Sequence, residues 1–216
     1  MTIVLMSDPR VGAIPVQDCG EDLVDTRASG LFIVDGRKHD PDGHYAHLRR
    51  GLVDRLQHAQ QFLPSEVRLL IVEGYRPPAL QRAYFEEYAA ELRRTNPGWN
   101  DSQIHEAASR YVSPPQIAPH SAGAAVDLTL ADQDGREVDM GTRMNASPEE
   151  SDGACYTHAE SVSPAARAYR DTLCRAMSAA GFVNYPTEWW HFSYGDRYWA
   201  LHTNQQAAVY GPRDRS

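Results

Sequence analysis

Apolar positions along the chain change period several times, and each change marks an element. Ala46, Leu48, Leu52, Leu56, Ala59 and Phe62 recur mostly at three- and four-residue steps, which predicts an amphipathic helix from about His44 until Pro64 stops it. Helical spacing also predicts helices from about Ala79 to Arg94 and from Ser102 to Val112. The first ends before Asn96-Pro97-Gly98 and the second before Pro114-Pro115. Ser163-Pro164 supplies an N-cap followed by proline at the first helical position, and Gly181 a C-terminal stop, so a further helix is expected to Ala180.

Between these lie short runs rich in branched apolar side chains. Leu31-Phe32-Ile33-Val34, Arg68 to Glu73, Ala124 to Leu130, Phe182 to Tyr185 and Trp189 to Tyr194 read as strands, with Arg136 to Met140 pairing back across an Asp132-Gln133-Asp134-Gly135 turn. Strands and helices come in mixed order, without a repeating β-α period. The expected architecture is therefore α+β, a small and mostly antiparallel sheet flanked by helices, formed by one domain over residues 1–216.

Composition narrows the function classes. The 216 residues carry 21 basic and 29 acidic side chains, a formal charge of −8, which argues against nucleic acid as a partner. No apolar run approaches the ~18 residues of a membrane span. The first eight residues are too short and too quickly acidic for a signal peptide, so a cytoplasmic protein is expected. Cys19, Cys155 and Cys174 form no C-x-x-C pair and read as reduced thiols.

Three places carry candidate chemistry. His120-Ser121-Ala122-Gly123-Ala124-Ala125-Val126-Asp127 joins a histidine on a loop to an aspartate in a strand. Val126 and Leu128 point to one face and Asp127 to the other, and a carboxylate in an apolar strand needs a partner or a metal. The small residues between would let the loop fold back and bring His120 over Asp127. In Glu188-Trp189-Trp190-His191 the two polar residues lie on opposite faces if the segment is extended, and converge if it turns. Histidine is a zinc ligand, and a nearby unligated glutamate can take a proton from an activated water. Arg76, at the end of a buried strand and ahead of Pro77-Pro78, suits a fixed cation aimed into a site. Taken singly, each has a plainer reading as a surface, capping or core residue. Their coexistence shifts the balance. Tyr84, Phe85 and Tyr88 read as core packing, and the other histidines as surface or helix-face residues.

Gly74-Tyr75-Arg76-Pro77, His120-Ser121-x-Gly123-x-Ala125-x-Asp127-Leu128-Thr129-Leu130, Met140-Gly141-Thr142 and Glu188-Trp189-Trp190-His191, in this order, resemble the zinc D-alanyl-D-alanine dipeptidase family. That group includes the vancomycin-resistance dipeptidases and related D,D-carboxypeptidases, and the similarity runs from about Gly20 to about Trp199. The resemblance implies a Hedgehog/D,D-peptidase-like fold and hydrolysis of a small peptide by metal-activated water, in cell-wall turnover or antibiotic resistance. It implies Zn2+ held by His120, Asp127 and His191, Glu188 as general base, and Arg76 stabilising the tetrahedral intermediate. Two substrate contacts of the resistance dipeptidases differ: Ala118 stands where they carry serine, and Asn145 where they carry an aspartate that meets the substrate ammonium. Competing readings are a D,D- or L,D-carboxypeptidase acting on cell-wall peptides, against which the absent signal peptide weighs, and a zinc-containing binding protein without catalysis, against which Glu188 and Arg76 weigh.

Overall fold

The two most apolar runs lie side by side at the centre of a five-stranded sheet in the computed structural model, which describes residues 3–214. They are β4 (Val67–Glu73) and β5 (Ala125–Asp132), paired antiparallel. β7 (His191–Ser193) pairs antiparallel with β5 on its other side, and β6 (Val183–Asn184) closes that edge. β2 (Ile33–Val34) lies parallel to β4 at the opposite edge. A separate two-stranded ladder joins β1 (Leu23–Asp25) to β3 (His47–Arg49). The mixed α+β architecture and the mostly antiparallel sheet agree with the sequence pattern.

Two amphipathic helices supply the apolar surface that packs with the sheet. Leu52, Val53, Leu56 and Ala59 of α2 (Arg50–Gln61) and Leu173 and Met177 of α5 (Pro164–Ala179) share one core with Leu69, Ile71, Val126, Leu128, Leu130 and Phe192. Each such leucine, fully buried, contributes roughly 1.5–3 kcal/mol, so this seam explains why α2 and α5 form where the period predicts. The Ser163 side chain accepts from the Ala166 N–H and caps α5. α3 (Pro78–Thr95) and α4 (Asp101–Tyr111) pack on each other through Ala89, Ile104 and Ala108. α4 starts with a reciprocal cap between Asn100 and Gln103.

Several expectations need correction. The helix expected from His44 begins only at Arg50: residues 44–46 form a single 3-10 turn and residues 47–49 a strand. Tertiary hydrogen bonds claim this backbone, since the Tyr45 and His47 carbonyls accept from the Gly74 and Tyr75 N–H groups and the Arg49 N–H donates to Gly123. Arg136 to Met140 does pair back across the turn as expected, but too briefly to form a strand. It makes one bridge, Ala131 with Glu137, and a few bonds back to β5. Leu31 and Phe32 lie outside β2, and the strands expected at 182–185 and 189–194 shrink to two and three residues. Two short helices, α1 (Pro9–Ala13) and α6 (Arg197–His202), lacked enough period to be read.

One buried cation ties the long polar loop to the sheet. Arg170 on α5 donates from Nε to the Met140 carbonyl and from Nη1 to the Tyr156 carbonyl, each at 2.8 Å, and lies over the Trp189 ring. Burial pushes its guanidinium down to about 10. Trp189 in turn donates to the Thr142 hydroxyl at 2.8 Å. The loop that carries Asn145 and the turn that carries Glu188 are thereby held to one helix.

Gly74 sits at the tightest backbone approach next to these elements. A Cβ there would collide with the His47 carbonyl oxygen and lie 3.0 Å from a Leu48 methyl. Gly74→Ala should therefore destabilise the protein by about 1–3 kcal/mol, as overpacking does, read as a lower Tm in thermal unfolding. An unchanged Tm would mean that the 45–48 segment yields freely.

Candidate metal centre and catalytic pocket

The site forms where β4, β5 and β7 end together. A register shift in β4 between Ile71 and Glu73 brings Glu73 opposite Asp127, and the β5–β7 ladder brings His191 opposite Asp127 on the other side. His120 arrives from a 3-10 turn, Pro119–Ala122, which Gly123 ends at φ +64°. That left-handed conformation suits glycine. The fold-back expected from Ala122-Gly123-Ala124 is the one observed.

Three ligand-type atoms face one another. Asp127 Oδ1 is 3.0 Å from His191 Nδ1 and 3.3 Å from His120 Nε2, and the two imidazole nitrogens are 3.2 Å apart. All three residues are buried. A tetrahedral ion with ligand bonds of about 2.0–2.1 Å has ligand–ligand edges of about 3.3 Å. This triangle therefore matches one face of a zinc tetrahedron, and two histidines with one carboxylate are a donor set that zinc accepts. The free corner suits catalysis rather than a closed structural site. The Gly74 carbonyl lies 2.7 Å from His120 Nδ1. A proton on Nδ1 bonds that carbonyl and leaves Nε2 as the donor toward the triangle. Among the described residues His191 Nε2 is buried without a partner.

Glu188 and His191 converge because the segment turns. The Glu188 N–H bonds the Tyr185 carbonyl and the His191 N–H bonds the Glu188 carbonyl. Asn184 Nδ2 clasps the carbonyls of both Glu188 and His191 at 3.2 and 3.0 Å. Glu188 Oε2 then lies 3.9 Å from His191 Nδ1, outside the triangle. Burial raises its carboxyl to about 7, with Asp127 and Glu73 adding to the effect and His191 and Arg76 opposing it. Burial also works against charge on Asp127, but His120 and His191 outweigh it and hold that carboxyl well below the usual range.

Arg76 is fixed from two sides. Its Nε donates to Glu73 Oε1 at 2.7 Å and its Nη1 to Gln81 Oε1 at 2.8 Å. Gln81 is anchored in turn by donating to the Ser113 carbonyl. Burial opposes ionisation of Glu73, yet the Arg76 guanidinium keeps its carboxyl below the ordinary range. Glu73 and Gln81 drew no attention as functional residues in the sequence. The three-residue spacing of Glu73 and Arg76 was the available signal, while Gln81 offered none.

A cavity of about 300 Å³ opens over these groups and gathers Arg76, Ala118, His120, Asp127, Asn145, Glu188 and His191. Tyr84 and Tyr88 of α3 line it as well, which corrects the reading of Tyr84 as core packing; Phe85 and Tyr88 do pack against the α3–α4 core, Phe85 beside His105 and Tyr88 beside Tyr111. Asn145 takes φ +60°, and its carbonyl accepts from the Tyr111 hydroxyl at 3.2 Å. Ala118 leaves its stretch of wall apolar.

A small α+β fold with a two-histidine, one-carboxylate triangle beside a free glutamate defines a metal-dependent peptidase. Residues 43–209 match the Peptidase_M15 family profile, described as D-ala-D-ala dipeptidase. The chain belongs to this family, as its motifs imply. It is 31% identical over 223 aligned positions to a D-alanyl-D-alanine dipeptidase of Synechocystis sp., covering 90% of each chain. It is 42% identical over 73 residues to an Escherichia coli protein of the same name, 34% of this chain and 36% of that one. Among solved structures it is similar to VanYB in complex with D-Alanine-D-Alanine, at 16% identity and a TM-score of 0.48, over 94% of this chain and 92% of that one.

The triangle leads to a metal-binding expectation that does not depend on turnover. His191→Ala removes one vertex and should leave the purified protein with little or no zinc by elemental analysis. Full occupancy in that variant would take His191 out of the ligand set.

Proposed function

We propose that this protein is a zinc-dependent dipeptidase that hydrolyses D-alanyl-D-alanine or a closely related dipeptide containing a D-residue. The observation that carries the reading is the convergence of His120, Asp127, His191, Glu188 and Arg76 in one cavity, in a chain of the dipeptidase family. The three free thiols fit a reducing cytoplasm, where such a dipeptide would be met.

When bound, zinc supplies Lewis acidity to a nucleophilic water and to the scissile carbonyl. His120, Asp127 and His191 hold it, and the Gly74 carbonyl keeps the His120 ring in one tautomer. Glu188 stands next to the triangle without belonging to it, so its carboxylate accepts the proton of the attacking water. The same oxygen then returns that proton to the leaving amine. Arg76, with Nε and Nη1 committed to Glu73 and Gln81, keeps Nη2 for the oxygen on which charge builds. A donor held in place before the reaction needs no reorganisation, and such donors contribute ~100- to 1,000-fold to rate.

Two expected outcomes follow from these roles. Glu188→Gln keeps the side chain's size but cannot accept a proton. It should retain zinc and lose turnover by at least ~100-fold, and full activity would remove Glu188 as the base. Asn145→Asp tests the neutral residue in the pocket wall. A carboxylate there should raise kcat/KM for a dipeptide with a free ammonium relative to its N-acylated form, because charge assistance roughly doubles such a hydrogen bond. A ratio that does not move would mean that residue 145 does not meet the amino end of the substrate.

A further inference from the structure

A dipeptide has a free α-carboxylate one residue from its scissile bond, and the pocket must hold that charge. Two cations line the cavity, Arg76 and Lys38. Arg76 has Nε and Nη1 committed to Glu73 and Gln81, and its remaining Nη2 is the donor assigned above to the scissile carbonyl oxygen, which leaves Lys38 for the carboxylate. Lys38 ends a 3-10 turn, Gly36–Lys38, and stands outside the 43–209 stretch that matches the family. Its Nζ is 3.6 Å from Glu73 Oε2, too far for a hydrogen bond, and that buried oxygen has no hydrogen-bond partner among the described residues. Glu73 Oε1 already serves Arg76 at 2.7 Å. One carboxylate is thus shared by two cations, and the group Lys38–Glu73–Arg76 keeps one unit of positive charge at the cavity wall.

The rest of the cavity has the opposite polarity. Arg76 lies against the Tyr84 ring, with its guanidinium carbon 5.2 Å from the ring centre, so the cationic group marks the start of α3. Glu87 and Glu91 line the same cavity one and two turns further along that helix, and no ion pair holds either of them among the described residues. A zwitterionic peptide is therefore aligned by the field of the pocket, carboxylate toward Lys38 and ammonium toward the far end of α3. Ala118 offers no polar side chain that could take the carboxylate instead.

We propose that Lys38 is the substrate-carboxylate anchor of this enzyme, its ammonium leaving the loose contact with Glu73 to pair with the α-carboxylate of the dipeptide. The inference rests on the dipeptidase reading above. Lys38 takes part in no proton transfer; it selects substrates with a free C-terminus and sets their register against the metal triangle.

The test compares kcat/KM for D-alanyl-D-alanine and for its C-terminal amide in the unaltered enzyme, Lys38→Met and Lys38→Arg. The ratio of two substrates on one preparation does not depend on how much of the variant is folded. The unaltered enzyme should prefer the free acid. Lys38→Met should cut that preference by ~10- to 100-fold, the loss of a charge-assisted hydrogen bond, and Lys38→Arg should keep most of it. If Lys38→Met slows both substrates equally or leaves both alone, or if arginine behaves as methionine does, the anchor is not Lys38. An unaltered enzyme that hydrolyses neither substrate overturns the dipeptidase reading, and this inference with it.

Discussion

Buried negative charge at one end of the sheet is the constraint on which the rest of the structure depends. Glu73 and Asp127 face each other across β4 and β5, and Glu188 joins them from the turn before β7. Like charges opposite one another in a ladder are destabilising, and removing a carboxylate from water costs several kcal/mol more. Arg76 satisfies Glu73, and Lys38 approaches from the rim. Nothing among the described side chains does the same for Asp127 except two histidines, neither of which carries a permanent charge. A divalent cation held at the triangle would resolve this arrangement: it would neutralise Asp127 directly and lower the field at Glu188, which burial otherwise drives toward the protonated form.

The supports around that charge explain why the site can be rigid although much of it comes from loops. Asn184 holds the turn that aims Glu188 and His191. The register shift in β4 turns Glu73 toward Arg76, and Gln81 on α3 closes the clamp from the other side. Arg170 keeps the Met140–Tyr156 loop against α5 and the Trp189 ring, so the pocket wall at Asn145 and the turn that carries Glu188, the base in the proposed mechanism, share one anchor. Catalysis needs reacting groups held within fractions of an ångström, and each of them here is tied to an element of the sheet or to a helix packed on it.

What could be read from the sequence follows from how local each feature is. His120 and Asp127 were legible together because a tight turn and a single strand join them, so the eight residues from one to the other contain all the geometry. Glu188 and His191 were legible as residue types but not as a geometry, since an extended segment would have separated them; the bonds through Tyr185 and Asn184 decide it. Lys38, Glu73 and Gln81 gain meaning only when β4, α3 and the 36–38 turn come together, and nothing in their own neighbourhoods announces that. The same reason accounts for the misread residues 44–49. Their apolar spacing is helical, but Gly74, Tyr75 and Gly123 take the backbone bonds a helix would need.

The most direct test of this account is the metal dependence of stability. The protein as isolated should contain one zinc per chain, and removal by a chelator should lower its Tm because buried Asp127 then loses its counter-charge. One equivalent of zinc should restore the Tm in full. A chelated protein that melts at the same temperature with and without zinc would show that the buried carboxylates are stabilised in another way, and would contradict the central claim.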